Sequence, residues 1–436
     1  MADKFLGKWG RLAWLFKSAD LTIVESINIL VNKLIGGITA LYYVAKSYIF
    51  NGNYNVIIGY DKYLPKGIKN PKRALLNYMI GPFYKEYYIG NLKYYFSNNG
   101  VILSLAKALN EMGYVVDAIK LDNCDYQTKE KYDLIFAPGF YNYESLQKYL
   151  TKETLYIFFA VVAYWRVVDK GVNERLLAFK QRHGVELPEK DLNYFMKTQA
   201  EAEREDACIK KADGMLVIGD LMSKSFVQPF VPDFNTTTGI CLDTKYKKDL
   251  SPEALEKAKK HFLFFGGGRD NIRKGLDLVI ESFIGTENHL YLCCEVHPLI
   301  RQTLKLDEQK NIHEIGYLKQ RSKKFYDIIE KCGFIIQPSV SESIPGGVLD
   351  CVQYGLIPVV STGCNMPEED GAYVISEINL ENVKQAVKFV STQSGQWLSE
   401  RAKKSVEVCF SKFTLDAFER DIKKGIAVVL NKKQKK

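Results

Sequence analysis

The chain reads as two α/β domains, each built on a parallel sheet, and three observations predict this. Its 436 residues exceed what one ordinary hydrophobic core organises, so two domains of about 150 to 200 residues are expected. From about Pro71 onward, short apolar runs alternate with helix-length segments, the pattern of βαβ units whose ligand-carrying loops open at the carboxyl edge of the sheet. The third observation is the stretch FIIQPSVSESIPGGVLDCVQYGLIPVVST, residues 334–362. Two apolar runs there, Phe334–Gln337 and Ile357–Ser361, bracket one helix-length segment that opens at Pro345, Gly346 and Gly347.

The bulk composition is globular, with 47% hydrophobic and 25% charged residues. Sixty Lys and Arg against 51 Asp and Glu leave a net charge of +9, which favours anionic partners such as phosphates or acidic lipids. No stretch interleaves aromatic and basic residues as a nucleic-acid module does, so nucleic acid is not an expected partner. Nine cysteines lie scattered, Cys293 and Cys294 being adjacent, and they read as reduced thiols of a cytoplasmic protein.

Residues 1–70 are expected to form an N-terminal amphipathic helical extension. Phe5, Trp9, Leu12, Ala13 and Phe16 recur at helical spacing with Lys4, Lys8, Arg11 and Lys17 between them. Such a stripe suits either an anionic membrane surface, contacted through residues 1–50, or packing on the next domain, and both readings stay open. The apolar segment 21–50 is interrupted by Glu25, Asn28, Asn32, Lys33 and Lys46; its longest run free of charged and amide side chains, residues 34–45, has 12 residues. A spanning helix requires ~20. No small-residue cleavage site follows, so no signal peptide is expected. The location implied is cytoplasmic, peripheral on the inner face of the membrane where that contact forms.

The N-terminal domain is expected over residues 71–235. Strands are read at 74–80, 114–121, 134–137, 155–165 and 212–219, with a helix at 101–112 opened by the turn Ser97, Asn98, Asn99, Gly100. The charged helical segment 166–205 reads as a solvated face, with His183 structural. A linker falls at 231–238, where Pro232, Asp233 and three threonines break both periodicities. The C-terminal domain is expected over residues 236–412, with strands at 262–265, 290–296, 312–316, 334–337 and 357–361 and a helix at 321–332. Residues 413–436 are expected as a final helix and basic tail.

The loop after Gln337 carries one acid ahead of the helix, Glu342, and a second, Asp350, about a turn into it. The amides of Gly346, Gly347 and Val348 are expected to be free at the helix start, where the dipole favours an anion such as phosphate. A second stretch, HFLFFGGGRDNIRKGLDLVIESF at 261–283, repeats strand, glycine-rich loop and helix, with Arg269 and Lys274 flanking the loop after Gly266, Gly267 and Gly268. Glycines let a backbone approach a ligand, Arg offers a bidentate fork and Lys a point charge, a set suited to a diphosphate. A capped helix with solvated acids and a tight turn with solvated cations remain the plain alternatives. The five histidines show no metal-ligand spacing with one another or with the cysteines, and no Asp-x-Asp pair is present, so no metal is expected. The absence of a G-x-S-x-G elbow and of a Walker loop sets aside hydrolases and nucleoside triphosphatases.

Taken together, the acid, seven residues, acid spacing of Glu342 and Asp350, and Arg269 and Lys274 about seventy residues before it, resemble the signature of the retaining glycosyltransferases of family 4. The resemblance covers about residues 72–430. It implies a GT-B fold, two Rossmann-like domains facing each other across a cleft, with the acceptor on the N-terminal side and the donor on the C-terminal side. It implies that Arg269 and Lys274 grip the donor diphosphate, that Glu342 meets the transferred sugar and Asp350 the ribose. With these residues Gly267, Gly268, Ser343, Ile344, Gly346, Gly347 and Val348 would line the donor site, and Glu342, Arg269 and Lys274 would be catalytic. The implied reaction is metal-independent and retaining. It transfers a sugar from a UDP- or GDP-linked donor to a hydroxyl of a glycan or lipid-linked acceptor, in bacterial-type glycan or polysaccharide assembly.

Three departures from the family pattern matter. Asp350 stands where the family usually has Glu, and Tyr164 where many members carry a His that contacts the donor sugar. Asn98, Asn99 and Gly100 replace a Gly-rich turn that lies near acceptor and phosphate. Two alternatives stay open, a nucleotide-sugar epimerase of GT-B fold and a non-catalytic GT-B partner of a glycan-assembly complex, the second supported by the Asp350 and Tyr164 departures.

Overall fold

The computed structural model describes residues 56–83, 98–138, 143–188, 197–219, 224–227, 234–237, 247–266 and 271–433. The expected membrane-facing residues 1–50 and Gly267, Gly268 and Arg269 lie outside the described residues.

The N-terminal sheet comprises, among the described residues, β1 (Val56–Tyr60), β2 (Lys72–Tyr78), β3 (Tyr114–Lys120), β4 (Leu134–Ala137), β5 (Leu155–Ala160), β6 (Gly214–Ile218) and β7 (Phe234–Thr237), in the order β1-β3-β2-β4-β5-β6-β7. All neighbours pair in parallel except β1, which runs antiparallel to β3. Strand β1 corrects the expectation of a helical extension up to residue 70. Its register shifts between Ile57 and Tyr60, and Gly59 sits there at φ 69° with its amide donating to Asp117 Oδ1 at 2.8 Å. A bulge of this kind blurs the alternation by which a strand is recognised. Strand β7 likewise corrects the linker at 231–238: its threonines are polar but β-branched, and they extend the sheet in parallel with β6.

The C-terminal sheet comprises β8 (His261–Phe265), β9 (His289–Cys293), β10 (Ile312–Glu314), β11 (Phe334–Gln337), β12 (Ile357–Ser361) and β13 (Tyr373–Ile375), in the order β10-β9-β8-β11-β12-β13. Every pairing in it is parallel. Chain order runs outward in both directions from the β8–β11 pair, which makes that pair the topological switch point of the domain.

Two helices tie the domains together. The apolar run read as a strand over 155–165 leaves the sheet after Ala160, and Tyr164 becomes the N-cap of the helix Trp165–His183. That helix corrects the expectation of a solvated face. Val168, Val172 and Phe179 lie on one side of it, inside the core of the C-terminal domain with Phe262, Leu276 and Phe283. On the same side, buried Arg175 donates to Asp277 Oδ2 at 2.5 Å, while Arg182 reaches Asp277 at 2.9 Å and Glu281 at 2.8 Å. The closing helix Leu415–Lys433 does the reverse. It places Phe418, Ile422, Ile426 and Val429 in the N-terminal core, with Lys433 Nζ on Asp213 at 2.8 Å.

Three of the five histidines meet where β8, β9 and β10 begin. The His261 and His289 rings stack at 4.8 Å, those of His289 and His313 at 5.3 Å, and His289 Nδ1 lies 3.1 Å from His313 Nε2. Partial burial, the neighbouring imidazoles and Lys331 hold the pKa of His261 and His313 below the ordinary value. A depressed histidine pKa means that the folded state binds fewer protons than the unfolded one. Its contribution is therefore present above about pH 6.5 and is lost as the pH falls through that value toward the folded pKa.

Two outcomes follow. The urea midpoint should fall between about pH 7.5 and about pH 5.5, and the His261→Gln/His313→Gln double variant should fall less; equal slopes would place the acid sensitivity elsewhere. Asp277→Ala, which strands Arg175, should cost about 3–5 kcal/mol in calorimetric stability, whereas Arg175→Met combined with Asp277→Leu should recover most of it. A fully stable Asp277→Ala variant would show that the docked helix does not depend on this charge pair.

Candidate functional site

Because β8 and β11 are neighbours at the switch point, their carboxyl ends lie side by side at one edge of the sheet. The described segment 271–275, which leads into the next helix, is anchored at several points. Asn271 Nδ2 donates to Glu295 O at 3.0 Å, and its Oδ1 accepts from the His297 amide at 2.9 Å. Gly275, at φ 75°, lies under Pro338; a Cβ there would sit 2.5 Å from Pro338 O, so no other residue fits this crossing. The carbonyl of Arg273 accepts from the Val340 amide at 2.8 Å and from Ser339 Oγ at 3.1 Å. These bonds stitch the two loops into one surface and bring Lys274 to Glu342.

Glu342 is fixed through its backbone as well as its carboxylate. Its amide donates to Gly363 O at 2.8 Å, and Asn365 Nδ2 donates to the carbonyls of Glu342 and Ser343 at 2.9 and 2.7 Å. Carboxylate oxygen Oε1 lies 3.2 Å from Arg273 Nη2 and 3.8 Å from Lys274 Nζ, and accepts from Gln337 Nε2 at 3.4 Å. Arg273 also donates through Nη1 to Ser341 O. The hydroxyls of Ser341 and Ser343, on either side of Glu342, are buried and have no hydrogen-bond partner among the described residues.

The N-terminal domain closes against this loop. A Cβ on Gly219, which follows β6 at φ 62°, would lie 2.2 Å from Ile344 Cγ1 and 3.0 Å from Ser343 O; one on Gly171 would lie 2.9 Å from Val340 Cβ. Beyond Ile344 the helix Gly346–Val352 begins after Pro345. Gly347 has no side chain to keep it from β8, where a Cβ would stand 3.2 Å from Phe265 O. The expectation of three free amides is corrected at Val348, whose N–H donates to Pro345 O at 2.9 Å and closes the first turn.

Asp350 occupies a separate position in the helix. Its Oδ1 is 3.4 Å from Arg321 Nη2 and 3.4 Å from Gln353 Nε2. Arg321 has a left-handed backbone, φ 62°, and the helix expected to start there begins at Lys323 after the cap Ser322. Asn98, Asn99 and Gly100 form the first turn of the helix Asn98–Glu111 rather than a loop. Tyr164 is buried with Phe158 and Cys208; its hydroxyl donates to Asp206 Oδ1 at 2.6 Å and accepts from Arg166 Nε at 3.1 Å. Burial and the Asp206 bond push its pKa up to about 12, so it stays protonated at neutral pH.

Sequence reasoning missed Arg273, Gln337, Arg321 and Asn365. Arg273 and Lys274 are adjacent cations, and no periodicity distinguishes the one that turns inward. The cap signal of Ser322 was available, and it would have left Arg321 on the loop. Among the described residues, no group of three or more His, Cys, Asp and Glu side chains is arranged to hold a metal ion, and no helix is long and apolar enough to cross a membrane.

Two parallel-sheet α/β domains joined in this way are the GT-B fold of glycosyltransferases. Sucrose-phosphate synthase from Thermosynechococcus elongatus superposes with a TM-score of 0.54 at 12% identity, over 83% of this chain and 100% of that one. Anabaena HepE in complex with UDP gives 0.51 at 10% identity over 82% and 100% of the two chains. A trehalose-6-phosphate synthase gives 0.50 at 10% identity over 83% and 99%. No family model matches the sequence, and no curated protein matches it. At such identities the likeness is one of fold.

The loop clamp is testable on its own. Asn365 lies at φ 52°, so Asn365→Gly keeps the left-handed backbone while removing the side-chain bonds, those to the carbonyls of Glu342 and Ser343 among them. It should lower urea-unfolding stability by about 1–3 kcal/mol, the cost of leaving these acceptors unpaired. Wild-type stability in that variant would mean that the loop holds itself.

Proposed function

We propose that this chain is a glycosyltransferase that moves a sugar from a UDP- or GDP-linked donor to an acceptor hydroxyl. The observation that carries the reading is the Glu342 carboxylate, held by Arg273 and Lys274 at the carboxyl ends of β8 and β11 in a GT-B fold. In this reading Lys274, together with Arg269, meets the departing diphosphate, and Glu342 meets the sugar as its glycosidic bond loosens. Asp350 with Arg321 flanks the ribose. The bond from the anomeric carbon to the diphosphate oxygen breaks, that from the acceptor oxygen forms, and the acceptor's hydroxyl proton passes to the departing diphosphate, with catalysis by positioning and by fixed charge around the leaving group. The acid, seven residues, acid spacing supports the retaining family 4 assignment, and with it transfer without a metal to a glycan or lipid-linked acceptor. A second reading, a non-catalytic partner of the same fold, is favoured by Tyr164, whose hydroxyl is committed to Asp206.

Incubation with a panel of nucleotide-sugars, read as release of nucleoside diphosphate, decides between the two. Turnover of one donor is expected. Glu342→Ala should lower kcat more than it raises KM, because charge develops where Glu342 acts. Asp350→Ala should mainly raise KM, by roughly 10- to 150-fold, the equivalent of one charged hydrogen bond. Binding of a nucleotide-sugar without turnover would establish the non-catalytic reading, and failure to bind any would remove the donor site.

A further inference from the structure

We infer that Arg273 is a positioning residue: it holds Glu342 by one carboxylate oxygen and thereby leaves Lys274 able to exchange Glu342 for the donor diphosphate. The inference deepens the glycosyltransferase reading and rests on it.

The two adjacent cations are not equivalent. The Arg273 side chain is 6% exposed and lies 3.2 Å from Oε1, whereas that of Lys274 is 18% exposed and lies 3.8 Å away. Arg273 is also committed at three points to the segment that carries the acid. Its carbonyl accepts from the Val340 amide and from Ser339 Oγ, its Nη1 donates to Ser341 O, and its Nη2 faces Glu342. A planar guanidinium bound both to a carbonyl and to the next residue's carboxylate fixes that carboxylate in orientation as well as in place. Lys274 is a point charge on a flexible stem. At 3.8 Å it contributes attraction without direction.

The contacts of Arg273, Lys274 and Gln337 all fall on Oε1. The second oxygen is thereby left for a sugar hydroxyl. When a diphosphate arrives it carries more negative charge than one carboxylate, so Lys274 moves to it, while Glu342 keeps Arg273 as its counter-ion. Without Arg273, Lys274 is the one described cation within ion-pair distance of Glu342. Acid and diphosphate then compete for it.

The experiment compares wild type, Arg273→Ala, Arg273→Lys, Glu342→Ala and the Arg273→Ala/Glu342→Ala double variant. It measures kcat on the donor that turns over and, by calorimetry, the affinity for UDP and GDP. Arg273→Ala should lower kcat about tenfold or more, the effect of one lost charged hydrogen bond, and should weaken nucleoside diphosphate binding. Arg273→Lys should recover part of kcat. Adding Glu342→Ala to Arg273→Ala should restore nucleoside diphosphate affinity while kcat stays low, because removal of the acid frees Lys274. A mere loss of folding would not be relieved in this way. Wild-type kcat in Arg273→Ala, or weak binding that persists in the double variant, would overturn the assignment of Arg273 alone. A wild-type chain that neither binds UDP or GDP nor turns over any donor would overturn the glycosyltransferase reading and this inference with it.

Discussion

The arrangement of this protein depends on a carboxylate placed where water cannot reach it. Asp277 lies on the helix Leu276–Phe283, fully buried, and its Oδ2 is met by Arg175 and by Arg182. An ionised group in such a position is tolerated only when paired. Both partners come from the helix Trp165–His183, a part of the chain read at first as belonging to the other domain. Docking of that helix sets Gly171 against Val340. The helix that bears Asp277 starts two residues after Lys274, so the same charge pair that joins the domains also locates one of the cations of the site.

How far the sequence could be read depended on how a segment is buried. Strands β11 and β12 were legible to the residue, because a strand covered on both faces is a continuous apolar run with sharp ends. Strands β1 and β7 were not, the first because a bulge at Gly59 breaks its alternation, the second because three of its four residues are polar. The helix Trp165–His183 was misjudged for a different reason. Its buried face contains Arg175 beside valines and Phe179, and a pattern that counts charged residues as solvated cannot register a cation whose partner lies a hundred residues away.

The site shows the same division. The segments that follow β8 and β11 meet at Lys274 and Glu342, since the strand order forces the two strands together, and the positions of both residues after their strands were legible. What holds them was not. The bonds of Asn365 to two carbonyls and of Arg273 to Ser341 O are made to backbone, and backbone acceptors leave no mark on a sequence. Asp350 was legible as the second acid, but its Arg321 partner requires a left-handed residue that the local pattern does not announce.

The closing helix carries a consequence for how the chain is made. Phe418, Ile422, Ile426 and Val429 complete the hydrophobic core of the first sheet, yet they are translated after the whole of the second domain. At the usual pace of 5–20 residues per second, roughly 10 to 40 s separate the emergence of β7 from that of this helix. Before that interval ends the second domain has all of its own sheet in hand, while the first still exposes the groove that Leu415–Lys433 will fill. The order of synthesis and the order of completion are therefore reversed. The domain that leaves the ribosome first is the last to be finished.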